Sequence, residues 1–260
     1  MYPVLFEFGD FQLRSYGVIV ALSFLLALWM STKEAKRNGL DPKLIQDFAV
    51  YALLGGIIGA RLYFVLFSAP GYFFDHPWEI FAIWSGGIGI IGSLIGGFIV
   101  AVWFCRTKKL SLLKFGATLA PGVALGQTLG QFACLLNGDS FGRPTDLPWA
   151  ITYTDPRSLA PLNIPLHPVE IYEMAAYFLV FLLVWRSRNL SKINGLTFFT
   201  YLGGYGVARS LVEFFRGDPA IFARGIPAAQ VFGVAMIFVA LAGFLLLKKE
   251  PKFVGWVQKS

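Results

Sequence analysis

Seven runs of roughly 20 mostly apolar residues, parted by short charged clusters, constrain this chain more than any other feature. They cover approximately 16–31, 48–67, 83–104, 115–136, 169–185, 196–215 and 228–247. A bilayer offers no water to backbone N–H and C=O groups, so runs of this length predict helices that cross it. The expected fold is an all-α polytopic membrane protein of about seven transmembrane helices, formed as one domain over residues 1–260. Only 14% of the residues are charged and 56% are hydrophobic, whereas a soluble domain carries about 25% charge.

The charges between the runs alternate. Lys33, Lys36, Arg37 and Lys43 follow the first run, and Arg106, Lys108, Lys109 and Lys114 follow the third. Arg186, Arg188 and Lys192 follow the fifth, and Lys248, Lys249, Lys252 and Lys259 follow the last. Fifteen of the 22 basic residues thus fall on one side. Arg14, Arg143, Arg157, Arg216 and Arg224 fall on the other, with Arg61 and Arg209 inside runs. The positive-inside rule places the C-terminus in the cytoplasm and the N-terminus outside. The net charge of +7 therefore reflects topology and contact with anionic lipid, and nucleic acid is not an expected partner.

The opening "MYPVLFEFGDFQLRSYG" has no basic n-region or small-residue cleavage site, so it reads as an interfacial amphipathic segment, not a removable signal. The glycines from Gly86 to Gly97 and those of "LGGYGVARS" predict close helix contacts. The longest loop, about 137–168, is rich in proline and holds the strand-like "PWAITYT", which predicts a small extracytoplasmic cap. Cys105 and Cys134 sit among apolar residues and imply neither a disulfide nor a metal site. No Walker loop, no GxSxG elbow and no His/Cys/carboxylate cluster with metal spacing occurs.

Charge inside hydrocarbon is costly, so each ionisable group there marks a candidate site. Arg61 stands deep in the second run, and Arg209, Glu213 and Arg216 stand in "ARSLVEFFRGD". Spacings of four and three put the last three on one helix face. They form either a structural ion pair or an anion site. For the anion site, arginines outnumber the carboxylate, leaving positive charge for a ligand, and the guanidinium fork suits phosphate oxygens. Tyr16 fits an aromatic belt or a site, and His167 fits a loop or a site.

"NGDSFGR" (137–143) resembles the signature of the prolipoprotein diacylglyceryl transferases, roughly G-R-x-G-N-F-x-N-G-E-x-x-G-R. "RSYG", "GARLYFVLF", "IWSGGIGIIGSLIGG", "HPVEIYE" and "RSLVEFFRGD" resemble further blocks of that family, in its order and over nearly the whole chain. The resemblance implies a bacterial inner-membrane transferase of seven helices with the N-terminus outside. It would move the diacylglyceryl group of phosphatidylglycerol to the lipobox cysteine of a prolipoprotein, releasing glycerol phosphate, with no metal or cofactor. By motif position, Arg209, Glu213, Tyr16 and Asp139 would be catalytic. Arg143, Asn137, Gly142, Arg216, Gln131, Arg61 and His167 would bind substrate. Gln131, Ala133–Cys134 and Asp139 depart from the pattern's Arg, Gly-Asn and Glu, and Ile91 stands where relatives often carry His or Tyr. The implied alternatives are a divergent phospholipid transferase or hydrolase, and a non-catalytic lipid-binding relative.

Overall fold

The computed structural model describes residues 2–9, 11–82, 86–87, 89–190, 195–218, 221–223 and 225–249. A short hairpin, β1 (Val4–Phe8) and β2 (Phe11–Arg14), leads into α1 (Ser15–Arg37) and α2 (Pro42–Tyr63). A π-helical turn over Phe64–Ser68 and the short α3 (Pro70–Asp75) follow, then α4 (Ile90–Thr107) and α5 (Leu112–Asn137). A loop with a ladder of β3 (Ile151–Thr152) and β4 (Pro165–Leu166) joins α5 to α6 (Val169–Leu190). The chain continues through α7 (Leu196–Val212), the β5 (Ile221–Ala223) and β6 (Ile226–Pro227) ladder, and α8 (Ala228–Lys249).

Among the described residues, five helices are long and apolar enough to cross a membrane: α1, α2 with its π turn, α4, α5 and α8. The other two long helices, α6 and α7, have 22 and 17 residues and carry Glu170, Glu173 and Arg209. The protein is mostly helical, and large apolar side chains such as Leu54, Phe98, Leu183 and Phe238 are exposed on its outer faces. That distribution suits lipid tails as solvent.

The N-terminal segment expected as an interfacial stretch is a hairpin. Polar and apolar residues alternate over Phe6–Phe8 and Phe11–Arg14, where Glu7 pairs with Gln12 and Phe6 with Leu13. The Gln12 amide donates to Glu7 Oε1 at 2.9 Å, and Leu5, Phe6 and Phe8 remain exposed. The third run also starts later than its hydropathy suggests, at Ile90 instead of residue 83. Gly86 and Gly87 adopt φ of +86° and +72°, outside the right-handed helical region, and residues 83–85 and 88 lie outside the described residues.

The glycines make the close contacts expected of them. Gly55 and Gly59 of α2 lie directly against Gly96 and Gly92 of α4. A Cβ on Gly59 would strike the Gly92 carbonyl, so small residues set this helix spacing. Gly122 and Gly126 of α5 meet Ser31, Ala27 and Ser23 of α1, which makes α1 and α5 antiparallel. Gly206 of α7 abuts the Gly233 carbonyl of α8.

The ends of the bundle differ. One end gathers Phe48, Phe104 and Phe115 with buried Ala35 and Ile45. There the buried Glu34 of α1 pairs with Arg37 at 3.0 Å and with Arg188 of α6, while Asn38 donates to Thr118 Oγ1 of α5 at 2.9 Å. The opposite end carries the start of α1, the end of α5, the start of α6 and the end of α7. Over it lies the loop between α5 and α6, whose own core is Tyr153, Ala160 and Leu166.

Candidate functional site

The helix ends that meet under this loop carry most of the buried charge. α5 stops at Gly138, which takes φ +74° and donates its N–H to the Cys134 carbonyl at 2.7 Å; glycine occupies this left-handed position without strain. A Cβ there would also press on Ser158 and Tyr153. The turn releases Asn137, Asp139 and Arg143 from the helix, so "NGDSFGR" is polar because it is no longer inside a span.

Residues 141–143 then run extended between two neighbours. On one side Arg143 N–H donates to the Phe215 carbonyl at 2.9 Å, and Gly217 N–H donates to the Phe141 carbonyl at 3.0 Å. On the other side His167 N–H donates to the Arg143 carbonyl at 2.9 Å. Gly142 is the middle of this three-segment array: a Cβ would collide with His167 and Val169, and Gly217 packs on its carbonyl. Three segments far apart in the sequence, 137–143, 167–173 and 209–218, are therefore one structural unit.

Beneath it lie the ion pairs. α7 ends at Val212, and residues 213–215 tighten into a 3₁₀ turn that leaves Arg216 extended. Arg209, Glu213 and Arg216 converge even so, and a fourth residue joins them: Glu173 of α6. Arg209 Nη1 donates to Glu173 Oε1, and Arg209 Nη2 lies 3.0 Å from Glu213 Oε2. Arg216 Nη1 is 3.5 Å from Glu173 Oε1, and its Nε and Nη2 grip both oxygens of Asp218 at 3.1 and 2.9 Å. Glu173 and Glu213 are each 1% exposed.

This arrangement corrects the expected charge balance. Arginines were expected to outnumber carboxylates, but Glu173 and Asp218 complete a group of two arginines and three carboxylates. The missed residues follow the same buried-charge rule. Glu170 and Glu173 stand three apart at the head of the fifth apolar run, where a helix brings them onto one side.

Positive charge with open donors is found nearer the surface. Arg143 is exposed, its Nε donates to the Arg216 carbonyl at 3.0 Å, and its two Nη groups have no partner among the described residues. Buried acceptors nearby lack donors: Gln131 Oε1, Asp139 Oδ1, Glu170 Oε2 and Glu213 Oε2. Glu213 Oε2 has its ion-pair contact but no hydrogen bond of good geometry. Leaving a buried acceptor unmatched costs about 1–3 kcal/mol, so such a group suits a ligand rich in hydroxyls.

Asn137 Nδ2 donates to Asp139 Oδ2 at 3.2 Å. Tyr153 donates to Glu170 Oε1 at 2.7 Å. Burial first, then the Glu170 carboxylate, pushes the Tyr153 hydroxyl well above its ordinary value, so it stays a protonated donor. His167 stacks edge-on to Phe215 at 5.3 Å, and its Nδ1 is 3.3 Å from the Tyr172 hydroxyl, which in turn accepts from Trp149 Nε1 at 2.8 Å.

Arg61 is placed differently. Its guanidinium donates to the carbonyls of Glu79, Ile80, Gly86 and Gly87 and faces the Phe73 ring. Its donors hold the loop between α3 and α4, and no contact joins it to the Glu173–Arg209 group among the described residues. Ile91 sits one residue into α4 and is exposed.

Residues 3–246 match the family model described as prolipoprotein diacylglyceryl transferase. A phosphatidylglycerol–prolipoprotein diacylglyceryl transferase of Clostridium tetani is 35% identical, over 94% of this chain and 97% of its own. Proteins of the same name from Trichormus variabilis and Bordetella avium are each 34% identical, covering 96% and 95% of this chain and 91% and 95% of theirs.

Proposed function

The chain belongs to the prolipoprotein diacylglyceryl transferase family, and from that footing we propose what it does and how its residues do it. It transfers the diacylglyceryl group of phosphatidylglycerol to the cysteine thiol of a prolipoprotein, the first step of lipoprotein maturation. It does so as one domain in the bacterial cytoplasmic membrane, crossing seven times, with the N-terminus and the cap over α5–α6 outside. The alternation of basic clusters supports that orientation.

In the reaction the thiol loses its proton and the thiolate sulfur attacks the glycerol carbon that bears the phosphate ester. The S–C bond forms as the C–O bond breaks, and the bonding pair leaves with glycerol phosphate. The phosphate gains negative charge in this step, so donors fixed beside it lower the barrier. Arg143 is the observation that carries the reading: its Nε is pinned to the Arg216 carbonyl while both Nη groups are open. Arg209 and Arg216 stand behind it, their forks held by Glu173, Glu213 and Asp218. That fixes their direction before substrate arrives, and preorganisation of this kind reduces the ordering cost of the transition state.

The unmatched acceptors of Gln131, Asp139 and Glu170 suit the glycerol headgroup hydroxyls. The free thiol has an ordinary pKa near 8.5, so a base is needed, and that role falls to Asp139 with Tyr16. Asn137 orients Asp139, Gly142 permits the close strand contact, and His167 with Tyr172 and Phe215 walls the mouth. Arg61 positions the α3–α4 loop in place of touching lipid.

The test is release of glycerol phosphate from phosphatidylglycerol vesicles mixed with the purified chain and a lipobox peptide. Release that needs the peptide is expected. None above background, with an active relative run alongside, would overturn the reading.

A further inference from the structure

A groove edged by two lysines lies at the other end of α1. Between α1 and α2, Leu25, Leu28, Trp29, Lys33, Lys36 and Gln46 line a groove of about 340 Å³. Its apolar part, Leu25, Leu28 and Trp29, runs along α1, a helix fit to span a membrane, and its open end carries two ammonium groups. Lys33 Nζ rests 3.8 Å above the Trp29 ring, which holds the charge at the groove mouth. Seventeen residues separate Lys33 from Tyr16, about 26 Å at 1.5 Å per residue. That is close to the ~30 Å hydrocarbon thickness, so this groove and the proposed active site open at opposite membrane faces.

Two further features favour a ligand here. Among the described residues, the buried acid nearby, Glu34, is occupied by Arg37 and Arg188, and Lys33 and Lys36 make no ion pair. The same Glu34–Arg188 contact, with Asn38 on Thr118, fixes the end of α1 against α6 and α5, so the groove wall is formed in advance.

We infer that this groove binds the headgroup of one anionic phospholipid, with its phosphate on Lys33 and Lys36 and an acyl chain along Leu25 and Leu28. A lipid is favoured over a free phosphate because Leu25, Leu28 and Trp29 of the lining are apolar and lie on a helix fit to span a membrane. The occupant differs from the reacting lipid by its place in the opposite leaflet.

The test is native mass spectrometry of the full chain titrated with dioleoyl phosphatidic acid, and with dioleoyl phosphatidylcholine in parallel. The Lys33→Gln/Lys36→Gln variant should hold one fewer phosphatidic acid, with about 30-fold weaker affinity at that site. Such a change corresponds to ~2 kcal/mol at 1.4 kcal/mol per decade, in line with about 1 kcal/mol per basic residue at a membrane surface. The Lys33→Arg/Lys36→Arg variant should retain the lipid, Trp29→Leu should weaken it several-fold, and glycerol phosphate release should stay within twofold throughout. Equal loss in a Lys108→Gln/Lys109→Gln control would show diffuse attraction and overturn the site. Unchanged binding by the Gln variant, equal retention of phosphatidylcholine, or displacement by 10 mM inorganic phosphate (~1,000 times the lipid concentration) would also overturn it. If the Gln variant does not fold, Trp29→Leu decides: undiminished lipid binding rejects the proposal.

Discussion

Adding one methyl group at Gly142 should disable the protein while leaving it folded. An alanine Cβ there would lie 2.6 Å from His167 Cβ and 2.9 Å from Val169 Cγ2, whereas carbons rest at about 3.5–4.0 Å. The strand must retreat by roughly 1 Å. It cannot retreat freely, because Gly217 packs against its other side and three backbone hydrogen bonds hold it. Overpacking of this kind costs about 1–3 kcal/mol of stability. The movement carries Arg143, and with it the Arg216 carbonyl that Arg143 Nε uses. Misplacing a catalytic group by about 1 Å costs ~100-fold in rate. Gly142→Ala should therefore lower kcat in the glycerol phosphate assay about 100-fold, with a thermal midpoint a few degrees below the parent. Gly130→Ala is the matched control, since nothing lies within 4 Å of a Cβ at that helix position, and it should keep full activity. A folded Gly142→Ala protein within threefold of the parent would refute the idea that strand packing sets the arginine positions.

Other perturbations separate charge from packing. Glu173→Ala leaves Arg209 without one of its two partners at a nearly inaccessible position, and should cost about 3–5 kcal/mol of stability. Glu173→Gln keeps an acceptor and should cost clearly less in the same thermal unfolding experiment; equal losses would show that the retained acceptor contributes nothing and that the negative charge carries the whole effect. Arg61→Ala frees four backbone carbonyls and should destabilise by about 3 kcal/mol or more, in keeping with charge-assisted hydrogen bonds. Its KM for phosphatidylglycerol should change little, and a large KM effect alone would return Arg61 to the binding site. Gln131→Arg supplies the cation found in the family pattern and should raise kcat by about 10-fold or more, given that one such donor is worth roughly 10²–10³. No gain would mean that the arginines already present suffice.

The long helices were legible in the sequence because a bilayer demands uninterrupted apolar length, and glycines such as Gly59 and Gly92 marked where two of them touch. The starts were harder to read. Hydropathy continues through residues 83–89, yet Gly86 and Gly87 take left-handed backbone angles that hydropathy does not register. The N-terminal hairpin was hidden by its apolar composition, although the alternation of Phe6, Glu7 and Phe8 held the signal. At the site, Arg209, Glu213 and Arg216 could be found from charge in an apolar run. Their charge balance could not, because Glu173 reaches them from another helix, and only the α6–α7 packing shows that it pairs with them. Arg61 was expected to bind substrate for the same reason as Arg209. The difference between them lies in four loop carbonyls that no sequence spacing announces.

The most direct measurement is the intact mass of a lipobox peptide after incubation with the purified chain and dioleoyl phosphatidylglycerol. One diacylglyceryl group should appear on the peptide cysteine for each glycerol phosphate released, with none on a Cys→Ser peptide and none when Arg209→Ala protein is used. Glycerol phosphate without lipidated peptide would make the protein a hydrolase, and an unmodified peptide with no release would contradict the transferase reading altogether.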